Sequence, residues 1–291
     1  MCRNTRPGER SKAVAAPIDP QKVADLIVEA ADTLIVPRFR QLQQGEISTK
    51  SGPNDLVTIA DRETEAWLDE TLTKLYPQTV LIGEESISEG VKSLETLKEV
   101  DKLIWVADPV DGTHNFVNGK REFGVMLAAV YNNEIVHGWI YDVIGRSMLI
   151  AHKGGGAWLD GQRLKTAAPK PLKELHGYAG FSYLPEKMRP HFKQQKDNVA
   201  SISSLKCAAH EYLNLASGKA DFGIYSRVKA WDHLAGSLAV QESGGRVRLW
   251  DGQDYYPSFS GHGLVAASSM EVEAEIRAAF LDPFTSPEPM P

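Results

Sequence analysis

Four acidic residues stand where a folded α/β chain presents reactive side chains. Glu84 closes the apolar run TVLIGEES, Asp108 and Asp111 close KLIWVADPVD, and Asp232 opens WDHLAGSLAVQESGG. The first two stretches read as short buried strands, and strand ends are where such folds place their chemistry. Each acid also has an ordinary reading, Asp232 as a helix cap and Glu84 with Glu85 as a solvated turn. Together they point elsewhere. Two carboxylates about 4 Å apart repel by roughly 4 kcal/mol at an effective dielectric of 20, so a converging set needs protons or cations. Oxygen donors, with no metal-type Cys pair and no motif-spaced His pair, select magnesium or manganese over zinc. Such ions share their shell with phosphate. Gly112 and Thr113, after Asp111, form a turn where a helix can begin, and its amides and dipole favour an anion. Pro109 holds Asp108 extended, which predicts Asp108 on the strand and Asp111 at the start of the next segment.

The elements that must gather these residues are read from periodicity. Val23, Leu26, Ile27, Ala30 and Leu34 form a helical stripe that Pro37 bends or ends. STKSGPNDLVT reads as an exposed loop or weak hairpin. ADRETEAWLDETLTKLYP reads as an amphipathic helix with Asp61 at its start and Trp67, Leu68, Leu72 and Leu75 on its apolar side. FGVMLAAVY, EIVHGWIYDV and SMLIAHKGGGAWLDG predict an antiparallel meander with turns at NN and IG. SSLKCAAHEYLNLASG predicts a helix ended by Gly218, ADFGIYS a strand, and the segment after Trp231 a helix stopped by Gly244 and Gly245. The pattern is mixed α+β rather than strictly alternating. KGGGAW lacks the Lys-Ser/Thr ending of a nucleotide loop and reads as a turn between strands. His114, His137, His152, His210 and His233 read as structural, and Trp105 and Trp231 as packing that positions the neighbouring aspartates.

Composition bounds the answer. With 42% of 291 residues hydrophobic, the chain can bury a substantial core, and no linker-like stretch divides it. The expected organisation is a disordered tail over 1–17, a single unit with two sub-lobes over 18–283, and a second tail over 284–291. A net charge of −6 argues against a broad basic face, so no nucleic-acid partner is expected. Cys2 and Cys207 are the only cysteines, which favours a reducing compartment over a structural disulfide. No apolar run has signal-peptide or membrane-spanning length, so the expected location is cytoplasmic, away from membranes.

GEES, WVADPVDGTHNF and WDHLAGSLAVQESGG closely resemble the signatures of the inositol monophosphatase family of magnesium-dependent, lithium-sensitive phosphatases. DLVTIAD is similar to the stretch before that family's first metal ligand, and the likeness runs from the first helix to about residue 280. The resemblance implies a layered αβαβα sandwich of the inositol monophosphatase and fructose-1,6-bisphosphatase type, usually a homodimer. It implies hydrolysis of a small phosphorylated metabolite without a covalent phosphoenzyme. Carried over by position, Glu84, Asp108 and the Val110 carbonyl would hold one Mg²⁺, and Asp108, Asp111 and Asp232 a second. Glu84 would also approach a third, weaker ion, with Mn²⁺ a substitute. Asp61 and Thr113 would orient the water that the ions activate, Gly112 and Thr113 would receive phosphate, and Lys50 matches a basic residue of the family's mobile loop. Ser204 fits a helical segment lining the substrate pocket.

One position departs from the pattern. Members that hydrolyse inositol phosphates often place a glutamate seven residues before the last metal aspartate to bind sugar hydroxyls, and here that residue is Tyr225. Lys206 and Cys207 also stand where small residues are common. Inositol monophosphate or a related polyol or sugar phosphate is the expected substrate, with histidinol phosphate and sugar or adenosine bisphosphates as alternatives. A haloacid-dehalogenase phosphatase is a rival, but its two aspartates stand two residues apart and Asp108 and Asp111 stand three apart. The rival of another class is a non-catalytic interaction protein that keeps the fold.

Overall fold

The computed structural model describes residues 18–43, 45–49 and 56–284. Lys50 and the segments 1–17 and 285–291 lie outside the described residues. The first helix, α1 (Pro20–Ala30), begins with Asp19 accepting the amides of Gln21 and Lys22 and buries Val23, Ala24, Ile27 and Ala30. It continues through a π turn, and a 3-10 turn containing Pro37 ends it. The expected hairpin forms from β1 (Ile47–Thr49) and β2 (Leu56–Thr58), which pair antiparallel. The helix that follows, α2 (Ile59–Leu75), starts in a capping box between Thr58 and Asp61.

Seven strands build the first sheet in chain order: β3 (Val80–Gly83), β4 (Leu103–Asp111), β5 (Gly124–Tyr131), β6 (Glu134–Asp142), β7 (Ser147–His152), β8 (Gly156–Leu159) and β9 (Gln162–Arg163). β3 and β4 are parallel and joined through α3 (Glu84–Ser88), and the remainder is the antiparallel meander. Asn132 and Asn133 make the tight β5–β6 turn with φ of 52° and 58°, the left-handed pair such hairpins need. A short helix, α4 (Thr113–Val117), separates β4 from β5. The second sheet has five strands in the order β11-β10-β12-β14-β13, from β10 (His176–Ala179), β11 (Ser201–Ser203), β12 (Phe222–Val228), β13 (Arg246–Leu249) and β14 (Gly261–Ala267). Its helices are α5 (Arg189–Gln195), α6 (Ala208–Ala216), α7 (Ala230–Glu242) and α8 (Met270–Ile276).

Strand parity sorts these elements into layers. Leu103, Trp105, Ala107, Leu127 and Trp139 pack on Val23, Ile27, Leu68 and Leu72 of α1 and α2. Ile104, Val106, Met126 and Ile140 take the opposite face and pack with Tyr212 of α6, with Leu234 and Leu238 of α7, and with Leu264 and Ala266 of β14. Phe222, Ile224 and Val265 turn to the far side of the second sheet, against Phe192, Val272 and Ile276 of α5 and α8. The sequence of layers is therefore αβαβα, as the resemblance implies.

One local reading changes, and another gains a distant partner. The predicted helix over SSLKCAAHEYLNLASG begins only at Ala208: Ser203 ends β11, Lys206 adopts φ 55°, and Cys207 occupies the N-cap position. The glycines of KGGGAW donate their amides to an acid of α7, Gly154 to Glu242 Oε1 at 2.7 Å and Gly156 to Oε2 at 2.9 Å.

Candidate active site

A one-residue bulge sets the centre of the site. β4 pairs Asp108 with Met126 and Asp111 with Gly124, so three steps on β4 oppose two on β5. Side chains in a regular strand alternate, which would put Asp108 and Asp111 on opposite faces. The extra residue returns Asp111 to the face of Asp108. Pro109 tolerates the break because it has no amide to lose from the ladder. Asp111 is thus still part of β4, not the start of the next segment. Asp232 arrives from elsewhere, as the third residue of α7 rather than its cap. Carboxylate oxygens of Asp108, Asp111 and Asp232 lie within 4.8 Å of one another.

Glu84 is the first residue of α3, directly after β3. It falls outside that tight trio, yet its charge is the foremost neighbouring influence on both Asp108 and Asp232. Its helix is pinned by Glu65 of α2, which accepts the amides of Glu85 at 2.7 Å and Ser86 at 2.9 Å. A Cβ at Gly83 would sit 2.3 Å from Glu65 Oε2 and so would displace the carboxylate that holds this helix. One turn earlier on the same helical face, Asp61 is buried, with Oδ2 accepting the Thr58 amide at 2.8 Å and the Thr58 hydroxyl at 2.5 Å. The Thr113 hydroxyl stands 3.2 Å from Asp61 Oδ1 and 3.1 Å from the Val110 carbonyl, and its single proton serves one of them at a time. Gly112 links Asp111 to Thr113 at φ 87°, and a Cβ would sit 3.0 Å from the Glu122 carbonyl.

Electrostatics decide what this arrangement can hold. Burial, followed by Glu84, Asp111, Asp232 and Asp61, pushes the Asp108 carboxyl well above its ordinary range. Burial and then Glu84 and Asp111 do the same to Asp232, with partial relief from Lys229. Asp111 is raised by burial, opposed by the Cys207 thiol and the Ala209 amide, which donate to its Oδ2 at 2.9 and 2.6 Å. Left alone, such a set holds protons; a hard divalent cation is what keeps it anionic at neutral pH. The donors fit that cation, since three carboxylates and the Val110 carbonyl are all oxygen. The nearby sulfur stays a thiol, because burial and Asp111 drive Cys207 well above the usual value.

The substrate side carries more surprises. Ser204 lies in the loop between β11 and α6 rather than on a helix, is exposed, and has its hydroxyl 3.4 Å from Glu211 Oε1. Lys50 lies outside the described residues. The Tyr225 ring stacks on Tyr212 at 5.3 Å and meets His233 at 4.9 Å in a tilted contact, the three rings forming one cluster. His233 is structural, bridging the Tyr212 hydroxyl and the Arg227 carbonyl, with burial pulling it down to about 4. Trp105 is packing, against Tyr76 and Trp139. Three supporting residues escaped sequence reasoning: Glu65, Cys207 and Glu211. Glu65 left a signal, since Asp61, Glu65, Leu68 and Leu72 form one buried stripe, and two acids on an apolar face call for explanation. Cys207 shows in the sequence only as a departure from the small residues common there, and Glu211 leaves no signal.

The signature of the inositol monophosphatase family matches residues 19–282. The inositol-1-monophosphatase of Bacillus subtilis is 32% identical over 216 residues, 72% of this chain and 78% of that protein. A Thermotoga maritima protein named fructose-1,6-bisphosphatase/inositol-1-monophosphatase is 31% identical over 208 residues, 72% of this chain and 77% of its own. Among solved structures, a Thermotoga maritima IMPase superposes with a TM-score of 0.76 over 89% of this chain and 95% of its own, and at 24% identity that likeness speaks to the fold. With the family's signature spanning nearly all described residues, and its acids gathered at one strand end, this chain belongs to the inositol monophosphatase family.

Proposed function

We propose that this chain is a magnesium-dependent phosphomonoesterase that hydrolyses inositol monophosphate or a related polyol or sugar phosphate by direct attack of water. The observation that carries the reading is the meeting of Asp108 and Asp111 of β4 with Asp232 of α7. In this reading those carboxylates, Glu84 and the Val110 carbonyl hold two to three ions. Bound divalent cations lower the pKa of water, neutralise phosphoryl oxygens and support the leaving alkoxide. The chain's own groups do the rest. Thr58 fixes one oxygen of Asp61 and leaves the other facing Thr113. When the Thr113 hydroxyl donates to Asp61, its lone pairs can accept a hydrogen bond from water, aiming that water's own lone pair at phosphorus, and the proton the water loses can pass through Thr113 to Asp61. The Gly112 and Thr113 amides receive the phosphate, and Ser204 faces the leaving group.

The same reading includes one catalytic unit over 18–283, lithium inhibition, a homodimer and a cytoplasmic location. Among the described residues no helix is long and apolar enough to cross a membrane. Tyr225 keeps histidinol phosphate and sugar or adenosine bisphosphates as alternative substrates, because a phenol offers no charged two-oxygen acceptor for sugar hydroxyls. The test is phosphate release from a panel of phosphomonoesters with Mg²⁺, repeated with Li⁺. Release that requires Mg²⁺ and falls with Li⁺ is expected. Absence of release from every ester, with metal bound, would overturn the reading in favour of a binding protein.

A further inference from the structure

One buried acid beside the candidate metal-binding aspartates has no task in the chemistry above. Glu211 lies on α6, two residues beyond Ala209, whose amide holds Asp111, and it is only 6% exposed. Its Oε1 accepts the Leu205 amide at 2.9 Å, with the exposed Ser204 hydroxyl 3.4 Å away. Opposite stands Tyr225 of β12, whose buried hydroxyl faces the Glu211 carboxylate and interacts with it without meeting strict hydrogen-bond geometry. Stacking on Tyr212 and a tilted contact with His233 fix the Tyr225 ring. Its hydroxyl lies over Gly223, where a Cβ would come within 2.6 Å. A carboxylate, the phenol that faces it and an exposed serine thus meet beside Asp111, at the position where Tyr225 stands in place of the acid expected from the family pattern.

We infer that Glu211 is the specificity-determining acid of this chain, its carboxylate on α6 and the Tyr225 phenol on β12 together binding the free hydroxyls of a polyol leaving group. The inference rests on the phosphatase reading and names its substrate class: a phosphate monoester whose alcohol part carries hydroxyls, rather than a simple alkyl or aryl ester. The carboxylate accepts from those hydroxyls, and the phenol donates to them or accepts from them. A capping role alone does not explain an acid here, because a glutamine would offer the Leu205 amide the same acceptor without a charge to bury. Burial, partly offset by the Leu205 amide, pushes the carboxyl up to about 7, so an acid here carries a stability penalty once it ionises at and above neutral pH, a cost that functional groups often bear.

The experiment compares the Mg²⁺-loaded full chain with its E211Q and Y225F variants on two esters, inositol monophosphate and p-nitrophenyl phosphate. For E211Q, KM for the polyol ester should rise on the order of 10- to 100-fold with kcat little changed, as loss of hydrogen bonds to a charged group predicts. Its hydrolysis of the aryl ester should match the parent. Y225F should shift the same ratio in the same direction by less, and as it removes only one hydroxyl it guards against a folding artefact in E211Q. Parallel losses on both esters would mean that Glu211 acts through Asp111 or the fold. Unchanged KM in both variants, or a parent that cleaves only the aryl ester, would overturn the inference and leave the phosphatase reading intact. A parent that releases phosphate from neither ester would remove the reading itself.

Discussion

On the proposed reading, the phosphate end and the alcohol end of the site are built differently. At the phosphate end, the acids come from β4, α3 and the start of α7, and several are held by the backbone. A bulge aims Asp111, a capping box fixes Asp61, and Glu65 ties down the helix that begins with Glu84. At the alcohol end, Ser204, Glu211 and Tyr225 are side chains on a loop, a helix and a strand, and the position seven residues before Asp232 has lost its acid. The difference teaches that the candidate cation ligands are set by strand ends and turns, where a substitution disturbs the frame, whereas the proposed selectivity would rest on a few side chains that can be exchanged singly.

This contrast predicts that damage at the phosphate end is blind to the alcohol, while damage at the other end is not. Asp108→Asn should have the largest effect, a loss of kcat/KM on the order of 10³-fold or more, because several kcal/mol of charge stabilisation disappears. The loss should be equal on polyol and aryl esters, and the metal-free variant should melt no lower than the parent, since carboxylate repulsion has been relieved. A loss that varied with the alcohol would break the comparison. Asp61→Asn should lower kcat by about 10²-fold or more on both esters, as removal of a proton acceptor does, while calorimetry should find Mg²⁺ affinity nearly unchanged.

Stability against pH separates the two ends in another way. Glu211 is raised to about 7 from an ordinary 4.5, so the folded protein keeps a proton that the unfolded chain has released. Metal-free stability should therefore fall as pH rises from about 4.5 to 7, by about 3 kcal/mol from this group. Asp108, Asp111 and Asp232, also raised, act in the same direction. Mg²⁺ should remove the aspartates' share and E211Q the remainder, both readable in denaturant titrations at several pH values. If E211Q left the slope untouched in the presence of Mg²⁺, the assignment of that share would be wrong. Smallest is Cys207→Ala, which deletes the thiol donor to Asp111 and should weaken Mg²⁺ binding by roughly 10-fold, as loss of an outer hydrogen bond to a ligand does. Titration with the metal checks this, and again the effect should be the same for every ester.

Much of the frame was readable because its signals are local. The stripe of α1, the meander with its Asn132-Asn133 turn and the stop of α7 at Gly244 and Gly245 follow from periodicity and turn chemistry within short windows. The false start at Ser203 has an equally physical cause. SSLKC offers no helix breaker, but Lys206 enters the left-handed region and Cys207 turns its thiol and α6 toward Asp111, a distant partner that no window contains. The KGGG turn was read correctly as a turn, but its partner Glu242 lies on α7, far along the chain.

By itself the sequence determined which side chains are available and where strands and helices end, because propensity, proline and glycine act over a few residues. It placed acids at the ends of β3 and β4 and at the head of α7, and it made Pro109 tolerant of a broken ladder. Only the tertiary structure decided that Asp111 shares a face with Asp108, that Asp232 meets them, and that Glu211 stands opposite Tyr225. Strand register and the packing of α6 and α7 between two sheets set those meetings, and both depend on partners remote in sequence. A one-residue change of register reverses the face a strand residue presents.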